Sequence, residues 1–360
     1  MKTTLRDFLS KLKIISSTYS QDRLYDGSMC FLPPKPSAPE MGDVLKDKGL
    51  DSHQRQIALT VCNSHQSEVK VQKKLLEKHR LSQKGWSLDY QVLNIDKFYG
   101  SAEKKSGAEN EYRIFCSSSN PVIFLSVAIE LDYHLRSDPK LVANNDISGS
   151  SIDHWFNYLE KGGRVSNDLL NWALDASLLL YFHEVAHVIF GHCRYKYKND
   201  GEARALELDA DFNAGSMFGL LLDGFTTHGR KPSGVEEFSK RFLRANVLLG
   251  IVMKAISDQS ERYHFPTTRT LIFNAGFAAA LDHIGLTPKF ESEDDGNKYW
   301  GERTTSEKDR IYSALKRSSL SQYAGTELRL EEDFKDMQTK TSIIRDRLKN
   351  GPLEKLRLRT

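Results

Sequence analysis

The stretch LLLYFHEVAHVIFGHC (178–193) decides how this chain is read. His183 and His187 stand four apart in an H-E-x-x-H string, inside a strongly apolar run. Residues four apart on an α-helix lie one above the other on the same face, so both imidazoles can aim at one point. Glu184 sits beside the first of them, where it can act as a base without being a ligand. Unpartnered His, Glu and His would be costly to bury in an apolar helix. The string therefore reads as a metal-binding helix rather than as core that happens to carry two histidines. Zinc suits two imidazole nitrogens in a tetrahedral shell, and a catalytic zinc takes three protein ligands and keeps one position open.

The segment EARALELDAD (202–211) offers the third ligand. Glu207 and Asp211 are four apart and share a face on a second helix. Glu207 can complete the shell, and Asp211 can accept the free N–H of a liganding histidine and so fix its tautomer. Glu202 is an alternative third ligand, ranked lower because Leu206 stands where its partner carboxylate would be. Asp209 falls about half a turn from the Glu207 face and is expected to meet solvent or a basic side chain. The longer H-E-x-x-H-x-x-G-x-x-H signature is not met, since Phe190 and Cys193 occupy its glycine and third-histidine positions. His192 and Cys193 follow the helix end and could touch the site, with capping or packing ranked higher.

Composition sets the wider frame. The 360 residues suffice for a substantial core and roughly two domains. Hydrophobic residues at 39% and charged residues at 28% fit an ordinary soluble globular chain. A formal net charge of +3 gives no strong pull toward nucleic acid or an anionic membrane. Cys30, Cys62, Cys116 and Cys193 are scattered without a C-x-x-C pair, so a reducing cytoplasm is expected rather than a disulfide framework. The N-terminus lacks the continuous apolar core of a signal peptide; Leu5, Phe8, Leu9 and Leu12 follow helical spacing instead. The most apolar window, 172–191, carries Asp175, His183, Glu184 and His187, which fits a buried helix and not a membrane span.

Along the chain, CFLPPKPSAPEMGD (30–43) reads as an extended arm. QIALTVC (56–62), YQVLNI (90–95), EYRIFC (111–116) and PVIFLSVAI (121–129) read as strands, with 75–80 helical, giving a small mixed sheet over 50–135. RSDPKLVANNDISGSS (136–151) is a polar loop. The motif helix is expected to start near 166–168, where Ser, Asn and Asp offer N-cap oxygens, and to end near Gly191. Further helices are expected over 202–222 and 235–257, after Pro266, and over 327–349. KFESEDDGNKYWGERTTSE (289–307) reads as a charged loop, LLGIVM (248–253) as core and the terminal KLRLRT (355–360) as a solvated tail. No internal repeat is seen. The expected organisation is an N-terminal helix and Pro-rich arm (1–49), a small sheet region forming the upper part of a cleft (50–150), a helical core with the motifs (151–287), and a charged loop with C-terminal helices (288–360). The fold class is α+β.

HEVAHVIFGH followed by ELDAD resembles the gluzincin metallopeptidases that pair H-E-x-x-H with a downstream E-x-x-x-D. Membrane-embedded HtpX-like and prenyl-protein-processing peptidases share the pattern. The soluble Lit-type phage-exclusion peptidases are more similar, having a comparable motif helix, a spaced E-x-x-A-D and a later His-Pro segment, which here is YHFPTTRTLIF (263–273). The likeness covers roughly 166–275. Two departures stand out: Phe265 intervenes between His264 and Pro266, and the arginine spacing after the proline differs.

The resemblance implies a zinc-dependent endopeptidase with His183, His187 and Glu207 as ligands and Asp211 behind them. Glu184 would move a proton from water to the leaving amine, and His264, with Tyr263 as substitute, would donate to the oxyanion. Such folds set an edge strand beside the cleft for an extended substrate, here one of the strands between residues 91 and 125. The expected partners are a specific intracellular protein substrate and an activating partner or phage product, with no nucleic acid and no membrane. Two alternatives stand beside this reading. One is a repressor-cleaving regulatory peptidase of ImmA/IrrE type, and the other is a non-catalytic binding module with a structural zinc.

Overall fold

The computed structural model describes residues 52–76, 86–93, 98–107, 109–136, 165–220, 234–256 and 263–357. The N-terminal helix and Pro-rich arm, Cys30, most of the 136–151 loop and residues 77–80 lie outside them. The architecture is α+β: a three-stranded mixed sheet set on a helical body. Helix α1 (Ser52–Leu76) leads to β1 (Ser87–Leu93), β2 (Gly100–Lys104) and β3 (Glu111–Ser117). Then come α2 (Asn120–Arg136), α3 (Asn167–Ile189), α4 (Asp200–Gly219), α5 (Val235–Ile256), α6 (Pro266–His283), α7 (Glu293–Arg317) and α8 (Glu327–Ile343). Helix α8 runs directly into a π-helical turn (Ile344–Lys349), and a short α9 (Pro352–Leu356) follows. In the sheet, β3 is central, parallel to β1 and antiparallel to β2.

Helix α3 is the hub. Every residue from Asn171 to Ala186 is buried, as a helix apolar on all sides must be. It touches α1, α2, α4, α5 and β2. Ser166 caps it, its side chain accepting from the Leu169 N–H. Asp175, fully buried in α3, is met by the Arg241 guanidinium of α5 through two bonds of 2.9 and 2.8 Å. This bidentate pairing keeps an otherwise prohibitive buried carboxylate in place. No helix among the described residues is long and apolar enough to cross a membrane.

Five sequence assignments are corrected. Gln56–Cys62 is helical, inside α1. The buried positions Gln54, Ala58, Val61, Cys62, His65, Val69 and Gln72 keep a 3.6 period once the polar members are included. Pro121–Ile129 is also helical, inside α2. It is buried on every side, so no periodicity distinguished it from a buried strand. Residues 293–307 are not loop but the first half of α7, opened by a capping box between Ser292 and Asp295 and anchored by Trp300. The last helix, expected to be continuous over 327–349, changes to π geometry at Ile344. The expected solvated tail packs back at its start: the Leu356 backbone lies against Gly191, and the Arg357 guanidinium lies over the Phe190 ring.

Helices α4 and α6 approach backbone to backbone. A Cβ on Gly276 would collide with the Phe212 carbonyl oxygen, and one on Gly215 with the Phe273 carbonyl oxygen. Ser216 Oγ donates across the contact to the Gly276 carbonyl at 3.0 Å. Because neither backbone can yield cheaply, Gly276→Ala should lower unfolding free energy by about 1–3 kcal/mol in urea titrations. A second expectation concerns acid. His65 is buried in α1 with its Nε2 3.2 Å from Tyr90 Oη of β1, and burial pulls its pKa down to about 4. Between about pH 4 and 6.5 the unfolded chain binds this proton and the native chain does not, so stability falls as pH drops through that window. His65→Gln should flatten the loss between pH 7 and 4.5; an unchanged slope would show that His65 does not carry it.

Candidate metal centre

Helices α3 and α4 bring the motif residues together. His183 Nε2 lies 3.1 Å from His187 Nε2 and 3.2 Å from Glu207 Oε2, and His187 Nε2 lies 3.8 Å from the same oxygen. Donor nitrogens and oxygens around a tetrahedral zinc are about 3.3 Å apart, so these three atoms already sit near the spacing an ion requires. They also form the one group among the described residues whose donor atoms converge in this way. Two imidazole nitrogens at 3.1 Å repel unless a proton or a cation lies between them. His183 supplies the proton here: burial alone would lower its pKa, but Asp211 and Glu207 outweigh burial and push it up to about 9. Glu207 is the counterpart. Burial opposes its charge, yet the two histidines hold its carboxyl well below the usual range.

The far side of each imidazole is also engaged. His183 Nδ1 lies 2.8 Å from Asp211 Oδ1, the arrangement read from the E-x-x-x-D spacing. Asp211 is in turn paired with Arg269 of α6 through the same oxygen. The guanidinium, itself 1% exposed, lies over the Tyr263 and Phe273 rings. In the sequence Arg269 is marked only by its distance from Pro266; its pairing with Asp211 depends on the α4–α6 contact. His187 Nδ1 lies 3.0 Å from His192 Nδ1. His192 Nε2 lies 3.1 Å from Asp209 Oδ2, and Asp209 Oδ1 lies 2.7 Å from Lys349 Nζ. Asp209 thus meets a basic side chain, but as a buried residue rather than at the solvent boundary. Burial pulls His192 down to about 4, against Asp209, and it is neutral at pH 7.

These donors open onto a cavity of about 720 Å³, within the range of ligand-binding clefts. Glu184, His183, His187 and Glu207 line it from the helices, and Gly100–Ala102 of β2 line it from the sheet. Gly100 packs so close to Glu184 that an added Cβ would stand 3.0 Å from its Oε1. The edge strand beside the site is therefore β2. Its sequence GSAEK has no β-branched residue, and only its pairing with β3 identifies it.

Tyr263 is in the cavity wall. His264 is not; its Nε2 lies 2.9 Å from Asp336 Oδ2 of α8. Glu202 accepts from Tyr195 Oη and from the Lys198 N–H, both at 2.8 Å, away from the donor cluster. Cys193 lines the cavity as a neutral thiol, pushed up to about 12 by burial and by Glu184.

No protein-family model, curated protein or solved structure matches the chain. The chemistry of the donor set is the guide. Two imidazole nitrogens and one carboxylate oxygen, each imidazole braced from behind, could hold one zinc ion. Purified protein should carry about one zinc per chain by elemental analysis, and His187→Ala and Glu207→Gln should each lose most of it. Because uptake must displace the His183 proton, affinity should rise up to about tenfold per pH unit between pH 6 and 9, with proton release in calorimetry. A zinc affinity flat across that range would contradict the protonated state assigned to His183.

Proposed function

We propose that the chain is a zinc-dependent endopeptidase of gluzincin type. The observation that carries this reading is the position of Glu184. It follows His183 on α3, is 5% exposed, and lines the same cavity as the three converging donors. His183, His187 and Glu207 would hold the ion. When bound, zinc would polarise a scissile carbonyl and acidify a water. Glu184 takes the proton of the attacking water and delivers it to the departing amine. Of the two residues considered for the oxyanion, Tyr263 is favoured because it borders the cavity, whereas the His264 imidazole is engaged by Asp336. An extended substrate would add to β2 through main-chain hydrogen bonds, which brings a peptide bond past Glu184 without demanding a particular side chain.

The openness of the cluster argues against a purely structural ion. Structural zinc sites close the shell with four protein ligands, while this cluster supplies three donors and faces a cavity. The resemblance to Lit-type peptidases favours one dedicated protein substrate, cleaved in phage exclusion or another defence or regulatory response. A repressor-cleaving peptidase would use the same groups and differ only in what it cuts.

The test is a comparison of N-termini in an extract treated with wild-type protein and with Glu184→Gln. New N-termini should appear with the wild type and vanish with a chelator. They should be reduced at least ~100-fold with Glu184→Gln, which should still hold about one zinc. Cleavage that persists in a zinc-loaded Glu184→Gln protein would remove Glu184 from the mechanism.

A further inference from the structure

The two donor histidines are braced differently. His183 rests on a carboxylate of the neighbouring helix. His187 rests on a second imidazole, and the contacts continue through Asp209 to a lysine near the end of the chain. The geometry of this line bears on the donor set. His192 meets the Nδ1 side of the His187 ring at 3.0 Å, while His187 Nε2 points the other way, 3.1 Å from His183 Nε2 and 3.8 Å from Glu207 Oε2. His192 is itself held from behind, its Nε2 3.1 Å from Asp209 Oδ2. The line therefore fixes the orientation of the His187 ring, with Nε2 toward the other two donors.

Lys349 completes the line from a separate part of the fold. It ends the π turn, its side chain is 10% exposed, and the Asp209 side chain it meets is 1% exposed. A turn with i→i+5 bonding is wider than an α-turn, and here both Leu348 and Lys349 face inward. Ile344, Leu348 and Leu353 form a small core with Ala205 and Leu206 of α4, the turn next to Glu207. Gly191, just before His192, has φ +83°, and a Cβ there would stand 2.7 Å from the Leu356 carbonyl carbon. The segment from Ile344 to Leu356 therefore seats on both ends of the donor set, on α4 and on the turn that carries His192.

We propose that this C-terminal segment is a positioning element for the metal centre, with Lys349 acting through Asp209 and His192 on His187, so that metal loading and docking of the segment are coupled. The inference rests on the reading of His183, His187 and Glu207 as ligands.

It is tested on the full chain with zinc alone as the probe. Lys349→Met should weaken zinc binding about 10- to 100-fold in chelator competition, and Lys349→Arg should recover most of the loss. The visible spectrum of the cobalt-substituted protein should shift in Lys349→Met and not in Lys349→Arg. Hydrogen exchange on the wild type needs no variant: zinc should slow the amides of 344–356. If the wild type takes up no zinc, the ligand reading falls and this inference with it. Suppose instead that the wild type binds zinc and His187→Ala does not, while Lys349→Met matches the wild type in affinity and spectrum and zinc leaves 344–356 unprotected. The ligand reading then survives and the coupling is overturned.

Discussion

Everything in this structure is arranged around one constraint: Asp175, His183 and Glu184 are buried, and His187 half-buried, along a helix that is otherwise mostly apolar. Polar groups in such a place are tolerated only when each is answered by a partner. Helix α5 answers Asp175 through Arg241, and helix α4 answers the histidines. Glu207 faces the Nε2 atoms of His183 and His187, Asp211 stands behind His183, and Asp209 stands behind His192. The α3–α4 pair is thus a buried electrostatic unit with apolar surroundings, where interactions among charges are strong and misplacement is expensive.

The rest of the helical body holds that unit at fixed distance. The glycine contact between α4 and α6 sets the spacing that lets Arg269 reach Asp211. Arg241 of α5 neutralises Asp175 two turns before the motif, so the N-terminal half of α3 can stay buried. On the other side, the sheet delivers β2 against Glu184 and leaves a cavity between strand and helices. A base beside converging donors, at the wall of a cavity, is the combination on which the peptidase reading depends.

The C-terminal segment extends the same logic. Residues 344–356 contribute an ammonium to one buried carboxylate, a small apolar patch to α4 and a backbone seat for the Gly191 turn. A region that composition describes as charged surface is partly inside. Lys349 can be buried because Asp209 is already there and ionised, and Asp209 can remain ionised in the interior because Lys349 and His192 offset the cost of burial.

The sequence by itself determined what depends on short covalent separations. Four-residue spacing put His183 with His187 and Glu207 with Asp211, and Ser166 marked where α3 begins. It also announced α5 and α6 through their apolar period and Pro266. Tertiary structure decided what depends on packing across the chain. Whether Pro121–Ile129 is strand or helix turned on burial from all sides, which a continuous apolar run does not disclose. Strand β2 exists because β3 offers it a ladder, not because GSAEK prefers one. Arg269 finds Asp211 58 residues away, and Lys349 finds Asp209 only once the π turn docks on α4. The physical reason is common to all of these. Helical spacing is fixed by local geometry within a turn or two, whereas the partner of a buried charge is whichever opposite charge the packed fold brings to it.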